Sequence, residues 1–320
     1  MILLSFIIPV YNCESLVRRC VESITQQGIS DYEIILVNDG SKDASLSVCN
    51  ALASEHPVIR VFTHDNVGTS TTRNRGLKAS TGRYVWFVDA DDYVPSGFLK
   101  KIWTYLSGGQ YEMLTFNFRH VTRGGTRDVL NYHVENDVHV IDYLNNSPNM
   151  FAATKIYKRE ALGSLRFKDG LKNIEDFLFN LQYFYNHHYV HALPIIGYVY
   201  DNTNENSTSV SRTLRNLIKT SQDSMVVHLT IKEDLDSIHD AQVRDAVEEQ
   251  LHYSVAGYFF SLLRFYNLKY LRKVRRFYKE KGLFPIGPVR KRRAQLFIRL
   301  MNVEPIVILL SLYYRRFTKP

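Results

Sequence analysis

Apolar and polar positions along the first third of the chain follow a strand–helix repeat. Leu3–Pro9 and Tyr84–Val88 are continuous apolar runs, typical of strands buried on both faces of a sheet. The same repeat predicts strands at 32–37 and 58–62, and helices at about 16–24, 43–54, 69–79 (stopped by Gly82) and 95–108. This alternation predicts a mostly parallel α/β sheet flanked by helices, and such sheets bind ligands at the carboxyl ends of their strands.

The pattern becomes less regular after residue 110. It predicts strands at 112–118, 152–157 and 195–200, a helix at 175–185, and a polar loop at 202–211. Beyond 214 the spacing is helical, with breaks near Pro285, Pro288 and Pro305. We therefore predict one domain over 1–212, in two halves at 1–110 and 111–212, and a helical region over 213–320.

Charge is distributed unevenly along the chain, although apolar residues make up 45% of the sequence and allow a sizeable core. Residues 1–263 hold 24 Lys and Arg against 30 Asp and Glu, whereas residues 264–320 hold 16 against two, Glu280 and Glu304. The strongly basic end predicts a polyanionic partner, either nucleic acid or an anionic membrane surface.

The cysteines and the N-terminus bear on location. Cys13, Cys20 and Cys49 lack metal-ligand spacing and are odd in number, which disfavours a zinc site or a disulfide framework and indicates a reducing cytosol. The first nine residues lack the basic start and cleavage site of a signal peptide. They are also too short to span a bilayer, which takes ~20 apolar residues.

Polar clusters follow three of the predicted strands. They are Tyr11-Asn12, Asn38-Asp39-Gly40-Ser41 and Asp89-Ala90-Asp91-Asp92. Because a parallel sheet places the ends of its strands at one edge, we expect these clusters to lie close together. Asp-Gly between apolar runs can also form a hairpin turn, but the helical pattern that follows, with Ser41 as N-cap, favours a loop from strand to helix.

Asp89-Ala90-Asp91 has the composition of a metal site. Two carboxylates at the end of a buried strand repel each other, and their burial is costly unless a cation shares them. Mg²⁺ or Mn²⁺ would bind there together with a substrate diphosphate and neutralise the charge on a departing nucleotide. The alternative is a solvated acidic turn, since the Asp-x-Asp triplet is common.

Two helix starts carry further candidate chemistry. Residues 68–76 open a helix with hydroxyl side chains and include Arg73 and Arg75, which suits an anion; the alternative is ordinary capping. Glu175-Asp176 opens the other helix and offers a carboxylate that could take a proton from an acceptor hydroxyl. The alternative is that these acids only complement the helix dipole.

Together these segments resemble glycosyltransferase family 2. The matching text is Ser5–Asn12, Glu33–Ser41, Arg73–Leu77 and Val88–Asp92, in the same order and spacing, with weaker support from Glu175-Asp176 and from Asn206–Ser209. The resemblance implies the GT-A fold, with the domain at 1–212 as the catalytic domain. Its first half would bind the nucleotide-sugar and its second half the acceptor. Similar proteins build bacterial surface polysaccharides.

The resemblance also implies roles for single residues. Pro9, Val10, Tyr11, Glu14 and Asp39 would hold uracil and ribose, and Arg73, Asn74, Asp89 and Ala90 would complete the nucleotide-sugar site. Asp91, with Asp89, would bind Mn²⁺ or Mg²⁺. Asp176 would be the general base, beside Glu175.

The predicted function is therefore inverting transfer of a hexose or N-acetylhexosamine from a UDP-sugar to a saccharide acceptor linked to a lipid diphosphate. Three alternatives remain. A nucleotidyltransferase should carry a basic, glycine-rich phosphate loop near its N-terminus, and none is visible. A non-catalytic sugar-nucleotide-binding protein would not need Glu175-Asp176. A nucleic-acid-binding protein would explain the basic end but not the acidic strand ends.

The basic end predicts a cytoplasmic protein held peripherally on the inner face of the cell membrane. Cations between 269 and 281 are interleaved with apolar residues, Arg290–Arg293 follow, and Ile306–Tyr314 is a short apolar run. This pattern suits a helix lying in the membrane interface with its cations towards anionic headgroups. The alternative is a helical bundle with a solvated basic face.

Overall fold

The computed structural model describes residues 1–146, 149–203, 214–265 and 268–303. The chain divides into two compact units, Met1–Leu217 and Ile218–Pro320. The first holds all of the described strands and the second is helical.

One nine-stranded sheet organises the first unit. Its strands run in the spatial order β3-β2-β1-β4-β8-β5-β9-β7, with β6 paired to the far end of β5. They are β1 Leu4–Val10, β2 Tyr32–Asp39, β3 Ile59–His64, β4 Tyr84–Phe87, β5 Met113–Thr122, β6 Gly125–Val129, β7 Asn136–His139, β8 Lys155–Lys158 and β9 Tyr189–Asp201.

Among the described residues of this unit, seven helices accompany the sheet. They are α1 Val17–Thr25, α2 Ser45–Glu55, α3 Thr69–Ala79, α4 Phe98–Gly108, α5 Val140–Asn145, α6 Arg159–Leu162 and α7 Glu175–Tyr183. In α1 the buried residues Val17, Cys20, Val21 and Ile24 recur at i, i+3, i+4 and i+7, which gives the helix one apolar face towards the core.

The predicted parallel half is confirmed. Strands β1, β2, β3 and β4 pair in parallel, and β1 and β2 are buried on both faces because their side chains are apolar on both. The core around them includes Phe6, Trp86 and Phe116, with the ring of Trp86 5.5 Å from Phe6 and 5.4 Å from Phe116. The open edge left by these strands carries the candidate site.

The second half of the sheet is mixed. Strand β8 is antiparallel to both β4 and β5, so it joins the two halves. The prediction of a strand over 152–157 was wrong at its start: Ala152–Thr154 form a 3₁₀ turn, because the carbonyl of Phe151 accepts hydrogen bonds from the backbone and hydroxyl of Thr154. Helix α3 spans Thr69–Ala79 as predicted, and it ends where the backbone of Ser80 becomes extended.

Four further helices follow within the residues that the structure describes, and the first begins just before the boundary of the second unit. They are α8 Leu214–Asp234, α9 Ala241–Phe265, α10 Leu268–Glu280 and α11 Arg292–Asn302. Leu271, Val274 and Tyr278 of α10 are buried, and the Tyr278 hydroxyl lies 2.7 Å from the ring of His228 in α8. Burial lowers the pKa of His228 to about 3, so this imidazole is a neutral part of the core. No described helix is both long and apolar enough to traverse a bilayer.

Candidate active site

Strands β1 and β2 deliver their polar ends to one edge, as predicted. Val10 pairs with Asn38, and beyond this pair the backbone N–H of Asn12 donates to the Ser41 hydroxyl at 3.1 Å. Glu14 accepts from the N–H of Ala44 at 2.7 Å, just before α2. Ser41 is not the N-cap of α2, which begins at Ser45; the Asp43 carboxylate accepts the Ser45 N–H instead.

Asp39, at the end of β2, organises the loop that opens α3. Its carboxylate accepts the backbone N–H of Val67 at 2.7 Å and of Gly68 at 3.0 Å, and the side-chain amide of Asn66 at 3.2 Å. Gly68 has φ 96°, a conformation that favours glycine. The start of α3 is therefore already complemented by a carboxylate of the chain itself.

The acidic residues that follow β4, Asp89, Asp91 and Asp92, differ in burial and in their partners. Asp92 is buried and accepts the Tyr198 hydroxyl at 2.6 Å and the N–H of Asp201 at 2.8 Å, which ties the segment to β9. Asp89 keeps a third of its side chain exposed. Ala90 is buried between Asp89 and Asp91, so the two acids flank an apolar anchor.

Asp91 fits the chemistry of a divalent cation. Burial, and then the charge of Asp89, raise the pKa of Asp91 to about 6, and its carboxylate makes no hydrogen bond or ion pair with another side chain in the described ranges. Across those ranges, no group of three or more His, Cys, Asp or Glu side chains could form a complete metal cage. Mg²⁺ typically binds one or two carboxylates plus substrate phosphates, so the pair Asp89 and Asp91 is a sufficient donor set.

Arg73 connects the edge of the sheet to the acids of α7. This arginine of α3 is 3% exposed. One terminal nitrogen donates to Asp89 at 2.7 Å, and the other donates to Glu175 at 2.8 Å and to Asp176 at 2.7 Å. Burial opposes its charge, but the three carboxylates outweigh that effect and raise the pKa of the guanidinium well above its ordinary value.

The backbone before α7 holds its two acids in place. Ile174 adopts φ 54°, a left-handed conformation that is rare for a β-branched residue. Glu175 and Asp176 follow it directly, and the second carboxylate oxygen of Asp176 accepts the N–H of Ala152 at 2.9 Å. Backbone outliers of this kind are typical of functional sites.

Burial makes both acids of α7 weaker than usual. It raises the pKa of Glu175 to about 7, with a further contribution from the charge of Asp176. Burial likewise raises the pKa of Asp176, although Arg73 opposes the shift. A carboxylate with a pKa near neutrality is suited to proton transfer at neutral pH.

The other predicted site residues lie as follows. Tyr11 is 44% exposed beyond the end of β1, and Pro9 and Val10 are the last residues of that strand. Asn74 spans from α3 to the 167–169 segment: its side chain exchanges hydrogen bonds with the backbone of Phe167 and donates to Asp169. Asn74 therefore has structural partners, and contact with a nucleotide stays a prediction for it.

The sequence analysis did not identify two cationic residues of this region, Arg19 and Lys155. Arg19 donates to the Asp201 carboxylate and to the carbonyl of Asp91, both at 2.6 Å, and so braces the acidic segment. Lys155 is fully buried beneath the Asn149–Phe151 backbone. Arg19 lies in an amphipathic helix, where a cation normally faces solvent, so the sequence does not indicate its role. Lys155 could have been identified, because a lysine in an otherwise apolar strand is unusual.

Comparisons with known proteins place the chain in a family. Residues 5–166 match the family model for glycosyl transferase family 2. The chain is 40% identical over 116 residues to the uncharacterized glycosyltransferase EpsJ of Bacillus subtilis, covering 36% of this chain and 34% of EpsJ. It is 28% identical over 184 residues to a poly(ribitol-phosphate) beta-glucosyltransferase of Bacillus spizizenii, covering 56% of this chain and 29% of that protein.

The fold is similar to that of residues 1–349 of TarS from S. aureus, solved in complex with UDP-GlcNAc. The TM-score is 0.77 at 18% identity, covering 99% of this chain and 93% of the TarS chain. This likeness confirms the predicted GT-A fold. The alignments with the two curated relatives span only about a third of their lengths.

Proposed function

Because this chain belongs to glycosyl transferase family 2, we propose that it transfers a hexose or N-acetylhexosamine from a UDP-sugar to a saccharide acceptor with inversion. The observation that carries the proposal is the Arg73 cluster. It brings Asp89, on the edge expected to bind the donor, and Glu175–Asp176, the candidate base, onto one buried guanidinium. Donor and acceptor chemistry would thus meet within one charged network.

The donor half of the proposal rests on the edge formed by β1 and β2. The exposed Tyr11 ring just beyond the end of β1 suits a planar base, and TarS binds UDP-GlcNAc in a similar fold. In this proposal Pro9, Val10 and Glu14 line the same nucleotide site.

The acceptor half rests on the acids of α7. Asp176 would take the proton of the acceptor hydroxyl as that oxygen attacks the sugar, and Glu175 would support its charge state. A single base with no covalent nucleophile implies single displacement, so an α-linked donor gives a β-linked product.

A divalent metal would bind at Asp91 with Asp89. When bound, Mn²⁺ or Mg²⁺ supplies positive charge against the departing diphosphate. The roles of the chain itself are to present the two carboxylates and, through Arg73, to balance the charge of Asp89.

The acceptor is a saccharide linked to a lipid diphosphate in surface polysaccharide synthesis, used at the inner face of the cell membrane. A relative named for poly(ribitol-phosphate) supports an anionic, phosphate-bearing acceptor. The exposed cations of α10, Lys269, Arg272, Lys273, Arg276 and Lys279, support an anionic membrane surface as a partner of the region 213–320, while 1–212 is the catalytic domain.

Turnover tests the proposal directly. UDP-hexoses and UDP-N-acetylhexosamines are incubated with Mn²⁺ and a lipid-linked saccharide extract, UDP release is measured, and the product anomer is read by NMR. Asp176→Asn should abolish transfer and leave UDP binding nearly intact, because the base acts in the transition state. Glu175→Gln is the matched control and should retain part of the activity.

Three outcomes would contradict parts of the proposal. Near-normal turnover of Asp176→Asn would give the role of base to Glu175. An α-linked product would exclude single displacement. If neither a chelator nor Asp91→Ala changes the affinity for UDP, the metal site is excluded.

A further inference from the structure

Phe151 is a large apolar side chain left exposed beside the candidate base. It is 52% exposed, and it directly precedes Ala152, whose N–H donates to Asp176 at 2.9 Å. An isolated exposed phenylalanine needs no explanation. Phe151 is different, because the residue after it is hydrogen bonded to the candidate base.

The backbone that carries Phe151 is held at almost every polar group. The N–H of Phe151 donates to the Asn149 side chain at 3.0 Å, and its carbonyl accepts from the hydroxyl of Thr154 at 2.9 Å. The fully buried ammonium of Lys155 donates to the carbonyls of Asn149 at 2.5 Å and of Phe151 at 3.0 Å. Asn180 of α7 adds a donor to the carbonyl of Met150 at 2.9 Å.

Lys155 makes this arrangement costly. Burial lowers the pKa of its ammonium to about 7, so part of the lysine's charge is lost at neutral pH to hold one stretch of backbone. A surface loop with no role does not require a buried cation to fix it, whereas a surface that must meet a ligand in one orientation does.

The ring of Phe151 is also supported from beneath. The Phe118 ring of β5 meets it edge-on at 5.7 Å, and the Tyr200 ring of β9 lies 6.3 Å away. The His120 ring stacks on Tyr200 at 5.1 Å and extends this row of rings along β5 and β9. The exposed face of Phe151 is therefore part of a rigid aromatic surface.

We propose that Phe151 is the surface on which a sugar ring of the acceptor packs when its hydroxyl is presented to Asp176. This inference rests on the proposed function, because it requires that an acceptor saccharide approach Asp176. The chemistry is that of the apolar C–H face of a pyranose, which packs on a flat aromatic ring while the hydroxyls at its rim stay free for hydrogen bonds. Phe151 is thus a positioning residue for the acceptor rather than for the donor.

The test compares Phe151→Ala, Phe151→Leu and Phe151→Tyr with the wild type, using the lipid-linked saccharide extract as acceptor. Phe151→Ala should raise the acceptor KM roughly three- to tenfold, the range expected for a lost ring contact. Phe151→Tyr should restore the wild-type KM, and Phe151→Leu should not, because it keeps apolar area but not the flat ring. UDP affinity and thermal melting should stay unchanged in all three variants.

Phe62→Ala is the matched control, because Phe62 of β3 is a phenylalanine with 38% exposure away from α7, and its acceptor KM should not change. Weak binding of methyl β-glucoside, followed by NMR in the presence of UDP, gives a readout that does not need turnover and should be lost in Phe151→Ala.

An unchanged acceptor KM in Phe151→Ala, or a Phe151→Leu variant equal to the wild type, overturns the inference. An equal loss of UDP affinity also overturns it, since the ring would then serve the donor or the fold. A wild type that turns over no UDP-sugar contradicts the proposed function instead. The two failures are therefore distinguishable.

Discussion

Arg73 gathers three acids from two separate segments of the chain, Asp89 after β4 and Glu175-Asp176 at the start of α7. Its partners lie 16, 102 and 103 positions away in the sequence. The guanidinium is buried, so its charge is tolerated only because three carboxylates surround it. Arg73 is therefore a structural requirement of the site as well as a candidate ligand for the nucleotide.

Replacing Arg73 with glutamine should lower the free energy of unfolding by about 3 kcal/mol at pH 8, because it leaves buried carboxylates without a counter-charge. The loss should be smaller at pH 5.5. Without Arg73 the acids take up protons at a higher pH, and a neutral acid needs no cation. Urea unfolding at the two pH values measures both quantities, with Arg73→Lys as the charge-retaining control. Equal losses at both pH values would mean that the ion pairs contribute little.

The raised pKa values of the two acids of α7 predict the pH dependence of the reaction. Burial raises the pKa of Glu175 to about 7 and also raises that of Asp176. Since a base must be ionised and the pKa of Asp176 is raised, kcat/KM for the acceptor should rise with pH through a midpoint above the ordinary aspartate pKa and then level off. Glu175→Gln should move the midpoint down, because it removes a neighbouring negative charge from Asp176. A flat profile between pH 5.5 and 8 would contradict the assignment.

The raised pKa of Glu175 makes the stability of the fold depend on pH in the opposite direction to the activity. The folded chain holds a proton on Glu175 between its ordinary pKa of 4.5 and about 7, whereas the unfolded chain has released it. The contribution of Glu175 to stability therefore falls as pH rises through this window. Activity and stability should change in opposite directions there.

The sequence identified the individual acids of the site better than their partnerships. Asp89, Asp91 and Glu175-Asp176 stand out because carboxylates at a strand end or a helix start are conspicuous. The contact of Arg73 with Asp89 and with Glu175-Asp176 depends on tertiary structure that spans about a hundred residues, and no local pattern encodes it. The placement of Asn74 against Phe167 is hidden for the same reason.

At the scale of elements, the parallel strands were predictable and the peripheral ones were not. Strands β1, β2 and β4 are largely apolar runs because both of their faces are buried, and the buried polar side chains of Ser5 and Glu33 are satisfied by a hydrogen bond of 2.8 Å between them. Strands β6 and β7 are short, largely exposed and polar, so their sequences resemble loops. Hydrogen bonding to β5 and β9, rather than local preference, makes them strands.

Helix α3 provides a test at the scale of elements. Asp39→Ala removes the acceptor for the N–H groups of Val67 and Gly68, and should lower the free energy of unfolding by roughly 1–2 kcal/mol. Asp39→Asn keeps one carbonyl oxygen and should lose less. If Asp39 also holds uracil, UDP should stabilise Asp39→Ala less than it stabilises the wild type, as measured by thermal melting. If Asp39→Ala melts at the same temperature as the wild type in the absence of UDP, Asp39 has no structural role.

At the scale of the whole molecule, charge separates along the chain. Residues 1–263 carry a net −6 and residues 264–320 a net +14. Within the second unit the apolar residues Leu271, Val274 and Tyr278 of α10 are buried, and the exposed side of this helix carries cations. The apolar run Ile306–Tyr314, which could insert more deeply, lies outside the described residues, as do Asn206–Ser209.

Substitution of charge tests membrane association without disturbing that core. Arg272, Lys273 and Arg276 are exposed, and changing all three to glutamine should weaken binding to anionic vesicles by about 3 kcal/mol, at ~1 kcal/mol per cation. The matched control changes Lys78, Lys100 and Lys101, three exposed cations of the first unit. High salt should release the wild type in part, because it screens surface charge. Equal vesicle binding by both triple variants would exclude α10 as the contact.

Ile174 imposes an energetic cost on every folded molecule. An L-residue with a β-carbon at φ 54° is disfavoured by roughly 1–2 kcal/mol, whereas glycine is not. In an ordinary strand or helix glycine is the less stable choice relative to alanine, by about 0.5–1 kcal/mol. Here the order should reverse, so that Ile174→Gly melts above Ile174→Ala. The glycine variant should nevertheless transfer sugar more slowly, because a more flexible backbone at position 174 leaves the side chains of Glu175 and Asp176 less well positioned. This chain would then be one that evolution has kept below its attainable stability in order to hold two acids still.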